Sequence, residues 1–347
     1  MTEKELLEEL EAIAPLCGFI PDQTPPYLVR LGEDDFRELK KYGNFKHNGK
    51  PITIEITNSH HLPKDLVWQD ELRDEYNQLA GPETIKLPQV IMRAARGRDK
   101  VYTVLERPEG DMIINFDDFK KTFSHEDETY KKIVETAKVH WETRKILDQL
   151  AQKNLETAAR IERATWNQYF ENRFENWSKE IKKVDLNFDY ISSITLQKIR
   201  DRIFKSYKFD GRMELSFNLL GNTDIRKTKN DEYYLVNGRF AIMPAGFSIA
   251  AWLWNMVMWS WQKNPNDLIN DIFTALKVFC ETAPLEIKNL EKYILANLLE
   301  RIYASINVDI RYLRAPFHDI NPTGVANELK NFFELLNKIL NLDDIPC

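Results

Sequence analysis

The chain has 347 residues, 43% of them hydrophobic and 12% aromatic, a composition that excludes a disordered segment and a length that suits two lobes, since single cores stop growing near ~250–300 residues. Its formal net charge of −6 is spread over alternating acidic and basic residues, which leaves no concentrated basic face and excludes nucleic acid as the default partner. The short basic clusters Arg93–Arg98 and Arg226–Lys229 read as solvated loop and hairpin charges.

In chain order, MTEKELLEELEAIAPL predicts an acidic amphipathic helix with Leu6, Leu7, Leu10 and Ile13 on one side. It is not the basic-then-apolar layout of an export signal. Residues Tyr27–Thr57 mix the β-prone runs YLVRL and PITIEIT with turn residues at Gly43-Asn44 and Asn48-Gly49, the pattern of a small antiparallel sheet. Leu66, Trp68, Leu72, Tyr76 and Leu79 follow helical spacing and predict one helix over Leu66–Ala80, stopped by Gly81-Pro82. Two strands follow, Gln89–Arg93 and Lys100–Glu106, joined by the turn Ala94–Asp99; the second ends in the loop Arg107-Pro108-Glu109-Gly110.

From Ser124 helix dominates. Ser124-x-x-Asp127 resembles a capping box before Tyr130, Ile133, Val134, Ala137, His140, Trp141, Leu147 and Leu150. The pattern continues through Leu155, Ile161, Trp166, Phe170 and Trp177, which predicts one very long helix or two in series, with another around Ile194–Tyr207. A strand, a tight loop and a hairpin turning at Lys229-Asn230-Asp231 occupy the stretch after Leu215. Phe240–Trp261 carries no charged residue, but Pro244 and Gly246 break its start. The helix from Ser248 to Trp261 spans only about 20 Å, short of a ~30 Å hydrocarbon layer, so a buried helix is expected rather than a membrane element. Asn264-Pro265 supplies an N-cap with Pro at the first helical position, opening a helix over Asp267–Cys280. Leu285–Ser305 and Thr323–Leu340 are the last two helices, separated by an irregular Val308–Pro322.

Cys17, Cys280 and Cys347 lie far apart and form no ligand spacing, so neither a disulfide framework nor structural zinc is expected. With no export signal, the expectation is a cytoplasmic protein. His60 and His61 adjoin, but neighbouring side chains on an extended segment point to opposite faces.

Sheet, lone helix, sheet, connector, long helices, loop and hairpin, buried helix, helices: in this order the residues resemble the aminoglycoside phosphotransferase-like branch of the protein-kinase-like fold. GPETIKLPQVI followed by VYTVLERPEGDMI looks like that family's last sheet strands and hinge, and KIVETAKVHW like its helix ending in a Leu-Ala-x-Leu-His pattern, which puts His140 there as a helix-packing residue. Leu220-Gly221-Asn222-Thr223-Asp224-Ile225-Arg226-Lys227 aligns with its His-Gly-Asp-x-x-x-x-Asn catalytic loop, and Tyr234-Leu235-Val236-Asn237 with its metal-binding strand end. The resemblance implies an α+β, two-lobed fold: the N-terminal helix plus a small antiparallel-sheet, β-rich N-lobe over residues 1–107, and a large, mainly helical C-lobe over 108–347. The C-lobe would carry a helical insert at about 156–207 and the catalytic hairpin at 215–240. A chain without a hinge between Glu106 and Gly110 would instead be an unrelated helical protein with a small sheet domain.

Residue by residue, the resemblance implies a degenerate site. Transfer from ATP in that family uses a strand Lys for the phosphates, a helix Glu to orient it, an Asp for the acceptor hydroxyl, and Asn plus Asp for magnesium. Glu55 or a neighbour in ITIEI stands at the Lys position, and Glu75 matches the helix Glu but has no lysine partner there. Glu106 ends the hinge strand. Asn222 replaces the catalytic Asp, Lys227 the first metal ligand and Asn237 the second; an amide accepts no proton at neutral pH, and a lysine repels a cation. An alternative register makes Asp224 the acceptor-positioning residue and leaves Lys229 as the ligand. For Glu75, Glu106 and Asp224 the competing reading is a solvated or capping carboxylate.

Two functional expectations follow. One is a pseudokinase, a binding or regulatory scaffold with no cofactor and a protein partner, for which the aromatic stretch Trp166–Trp177 is the candidate surface. The other is an active but atypical ATP-dependent phosphotransferase using ATP and Mg, with a small-molecule substrate and catalysis drawn from Asp224, Asp231, Glu232 or the hinge acids.

Overall fold

The computed structural model describes residues 8, 19–21, 28–31, 39–58, 63–96, 100–120, 127–182, 198, 201, 211–217, 225–235, 238–260, 262–284, 289–314 and 322–340. The chain falls into two compact units: Met1–Asp111 with Ile225–Asn237, and Met112–Asp224 with Gly238–Cys347. The expected N-terminal helix and the helix around Ile194–Tyr207 lie outside the described residues, apart from isolated positions.

In the first unit, β1 (Phe19–Pro21), β2 (Leu28–Leu31), β3 (Leu39–His47), β4 (Lys50–Asn58), β6 (Val90–Arg96) and β7 (Lys100–Glu106) build one sheet. Its order is β1–β3–β4–β7–β6 with β2 also on β3, and the printed pairings are all antiparallel. The β3–β4 hairpin turns at Asn48 and Gly49, both at positive φ (50° and 77°), the backbone that a two-residue hairpin turn demands and that Asn and Gly tolerate best. Gly43-Asn44 is not a turn: β3 runs through it, and the register shifts between Tyr42 and Phe45. An extra residue accommodated as a bulge keeps a strand going where local sequence suggests a stop.

The helix α1 (Pro63–Leu79) starts three residues before the expected Leu66, since proline is tolerated at the first helical position. It buries Trp68, Leu72 and Tyr76, and the sheet contributes Phe45, Ile52, Ile54, Val104 and Leu105 to the same unit's core. α1 is tied to the segment that follows by side-chain bonds to backbone. Arg73 donates to the Pro88 carbonyl at 2.7 Å, Tyr76 donates to the Ile85 carbonyl, and Asn77 exchanges two bonds with Leu87. A second small sheet has the order β5–β11–β10–β8, from β5 (Ile85–Lys86), β11 (Tyr233–Leu235), β10 (Ile225–Lys227) and β8 (Asp111–Met112).

The second unit holds α2 (Phe116–Lys120), α3 (Glu128–Lys153), α4 (Leu155–Arg163), α5 (Trp166–Lys182), β9 (Met213–Phe217), β12 (Phe240–Pro244), α6 (Phe247–Ser260), α7 (Pro265–Glu281), α8 (Leu290–Arg314) and α9 (Pro322–Leu340). α3 begins later than a Ser124 cap would place it: Asp127 is the N-cap, its carboxylate accepting from the Tyr130 N–H at 2.7 Å. The long helical stretch is three helices rather than one or two, broken at Asn154, which caps α4 by accepting from the Thr157 N–H, and at Ala164. β12 pairs antiparallel with β9 inside what reads from sequence as the approach to an apolar helix. α6 itself is buried as expected, with Trp252, Leu253, Met256 and Val257 at most 1% exposed. Among the described residues no helix is long and apolar enough to cross a membrane. Asn264 caps α7 with Pro265 at its start, as predicted. α8 continues to Arg314, through residues expected to be irregular.

Candidate functional site

The described part of the hairpin is built from β10, the turn Thr228–Glu232 and β11. Its register pairs Ile225 with Leu235, Arg226 with Tyr234 and Lys227 with Tyr233. Thr228 closes the turn: its N–H donates to the Glu232 carbonyl at 2.9 Å, and its carbonyl accepts from the Asp231 N–H at 3.1 Å. Asp231 takes a left-handed backbone, φ 59°, which short polar side chains adopt at low cost. β11 also pairs parallel with β5, Tyr233 opposite Ile85 and Tyr234 opposite Lys86.

Three of the hairpin's charged side chains, Lys227, Asp231 and Glu232, are in ion pairs. Lys227 Nζ lies 3.2 Å from an Asp231 carboxylate oxygen and 5.6 Å from the centroid of the Tyr233 ring. Lys86 Nζ donates to Glu232 Oε1 at 2.6 Å. Burial, with Glu232 adding to it, raises the Tyr234 hydroxyl above its ordinary range. Arg226 donates to the Gly110 carbonyl at 3.0 Å, which joins the hairpin to the loop after β7. That loop is anchored at its start, where the Glu106 N–H donates to the Gln89 carbonyl at 3.0 Å and the Arg107 N–H to the Pro51 carbonyl at 2.9 Å.

Glu55 sits on β4, its backbone opposite Lys41 on β3 and Thr103 on β7; its side chain is outside the described set. Glu75 is on α1 and exposed, one position before the buried Tyr76. Glu106 ends β7, with a carboxylate oxygen 3.7 Å from Lys50 Nζ. Lys227 is on β10. Asn222, Asp224 and Asn237 lie outside the described residues. Of the sequence-selected site positions, the structure describes Glu106, Lys227, Asp231 and Glu232 with partners, and it gives each of them an opposite charge within 4 Å.

Magnesium, implied by the resemblance, does not fit the donor set. On that alignment a lysine would stand at the first ligand position and an amide at the second, whereas a divalent cation wants several anionic oxygens. Among the described residues no group of three or more His, Cys, Asp or Glu side chains could hold a metal ion.

Sequence reasoning missed what supports β9. Arg144, on α3, reaches the Leu215 carbonyl at 2.5 Å, Asp148 at 2.5 Å and the Glu214 carboxylate at 3.3 Å. Burial holds the Glu214 carboxyl above its usual range despite that arginine. Nothing in spacing alone pairs residues 70 positions apart, so no local signal marked them. His140 is a packing residue as expected, edge-on to Trp141 and Phe279; burial, then Arg144, lowers its pKa to about 3. Most of the aromatic stretch expected to be a partner surface is core instead: Trp166, Phe170 and Phe174 are at most 5% exposed, with Trp166 against Tyr293 and Phe174 against Tyr303 of α8, while the Trp177 side chain lies outside the described set.

No protein-family model and no curated protein sequence matches the chain. Solved structures do match over its full length. Amicoumacin kinase hAmiN, in complex with AMP-PNP, Ca2+ and Ami, is 14% identical, with 99% of this chain and 97% of that chain covered at a TM-score of 0.56. A choline/ethanolamine kinase family protein from Mesorhizobium loti is 9% identical, covering 99% and 96% at 0.54. The GDP and kanamycin complex of an aminoglycoside 2″-phosphotransferase is 14% identical, covering 98% and 99% at 0.51. The order of elements and these full-length likenesses together give the chain the aminoglycoside phosphotransferase-like form of the protein-kinase-like fold.

Proposed function

We propose that the protein is an atypical ATP-dependent phosphotransferase acting on a small molecule. The observation that supports it is the likeness of 99% of the chain to a kinase bound to a nucleotide analogue and its small-molecule ligand. Under this reading Asp224 positions the acceptor hydroxyl and receives its proton, because a carboxylate can do so at neutral pH and the Asn222 amide cannot. Asp231 and Glu232, the other hairpin acids, are each drawn onto a lysine, which leaves Asp224 as the acid to test. Purified protein is expected to consume ATP above background when offered hydroxyl-bearing small molecules, and Asp224→Asn to abolish that consumption. Equal turnover by wild type and variant would sink the assignment.

Lys227 favours a second reading. On the alignment above, a built-in cation at the first metal position and an amide at the second would remove the charge that stabilises a transferring phosphoryl group. The protein would then be a kinase-like scaffold that acts by binding alone, as a pseudokinase. Absence of ATP consumption with every acceptor tried, in a folded protein, would select this reading.

A further inference from the structure

We propose that Asn48 is a site of self-modification: its side-chain amide closes onto the Gly49 backbone nitrogen, loses ammonia with a proton from the His47 ring, and reopens as aspartate or isoaspartate. Nothing in this chemistry depends on the phosphotransferase reading.

Three observations carry it. Asn48 and Gly49 are the two loop residues of the β3–β4 hairpin, beyond its last paired residues His47 and Lys50, and both are exposed. Moving them breaks no strand pairing, so the turn opens locally at little cost in free energy. Next, attack on an asparagine side chain by the following backbone nitrogen is hindered by the following residue's own side chain. Gly49 has none, and even a Cβ built there would meet nothing within 4 Å, which leaves room for a five-membered imide. Finally, Asn48 Nδ2 donates to His47 Nε2 at 3.1 Å. An amide nitrogen is a poor leaving group until it is protonated, and this contact holds a proton-carrying ring on the nitrogen that must leave.

The step balances with water as the only co-reactant. The Gly49 nitrogen gives its proton to solvent and bonds to Asn48 Cγ. The Cγ–Nδ2 bond breaks with its electron pair left on nitrogen, which takes a proton relayed from solvent through the His47 ring and departs as ammonia. Water then opens the imide. Opening at Cγ gives aspartate, which tolerates the positive φ of this position. Opening at the main-chain carbonyl routes the backbone through the side chain and adds one carbon, for which a two-residue turn has no place.

The test incubates the full folded chain at neutral pH and follows Asn48 by peptide mapping and mass spectrometry, beside the same chain unfolded in urea. Mapping separates Asn48 from Asn237-Gly238, the chain's other Asn-Gly pair. The expected result is conversion to both products in the folded chain, at a rate within about tenfold of that in urea, since the exposed turn opens readily. His47→Gln is expected to slow the folded chain by about tenfold, less than an enzyme's positioned acid contributes, and to leave the rate in urea unchanged, where no fold holds the ring on the amide. Equal rates in folded wild type and His47→Gln would overturn the proposal. So would a folded wild-type chain whose Asn48 stays intact while the unfolded chain converts, a comparison that needs no variant and decides if His47→Gln fails to fold.

Discussion

A methyl group added to Gly110 would stand 2.5 Å from the carbonyl oxygen of Lys227 and 2.8 Å from its carbonyl carbon. Real side-chain carbons do not approach backbone that closely, so the loop after β7 and the strand β10 touch in a way only glycine permits.

Gly110→Ala is therefore expected to force the hairpin outward and cost about 1–3 kcal/mol, the range for overpacking against backbone that cannot yield. Gly81→Ala, where an added Cβ meets nothing within 4 Å, serves as the control and is expected to be neutral or slightly stabilising. Urea denaturation of both variants checks the contrast; equal stabilities would show that the hairpin moves freely.

Arg144 and Glu214 are both nearly inaccessible, 7% and 8% exposed. Removing one partner strands a buried charge. Arg144→Met alone is expected to cost about 3–5 kcal/mol, while the double variant Arg144→Met with Glu214→Leu recovers most of it. A double-mutant cycle reads the coupling, and additive losses would mean that the pair is not coupled.

His140 supplies a pH dependence. Its pKa falls from 6.5 to about 3 on folding, through burial first and Arg144 second, so the folded protein holds it neutral while the unfolded chain takes up a proton below pH 6.5. A depressed folded pKa gives stability that is complete above the unfolded value and is lost as pH falls toward the folded one. Between pH 7.5 and 5.5 the loss from this residue is about 1.4 kcal/mol. His140→Phe is expected to flatten the stability profile by that amount over the same interval; parallel profiles for wild type and variant would refute the assignment.

Glu300 is fully buried on α8, with Arg173 of α5 at 2.5 Å and Arg301 at 2.6 Å. Glu300→Gln leaves two guanidinium groups without their shared counter-charge and is expected to destabilise the second unit by about 3 kcal/mol. Arg173→Ala, whose side chain is 32% exposed, is expected to cost about 1 kcal/mol. Thermal melts that fail to rank the two in this order would remove Glu300 from the anchoring of α5.

Elements with a strong local period were legible. α1, α6 and α7 lie close to where their apolar spacing and caps put them, because the stripe that must be buried is written into consecutive turns. Gly43-Asn44 misled because a glycine marks a bulge as readily as a turn, and only the neighbouring strand decides which. The aromatic run from Trp166 to Phe174 misled for a related reason: large apolar side chains read alike whether they await a partner or already pack on α8. β12 was missed because its five residues pair with β9, more than twenty positions earlier, and carry no alternation of their own.

The sequence by itself determined the order of most elements and the buried character of α6, since these follow from residue type and short-range period. Only the tertiary structure decided that Lys227 pairs with Asp231, that Gly110 must be glycine and that Arg144 holds Glu214. Pairings of that kind depend on which distant backbones are brought within a few ångströms, and contact energy between residues far apart in the chain leaves no trace in local composition.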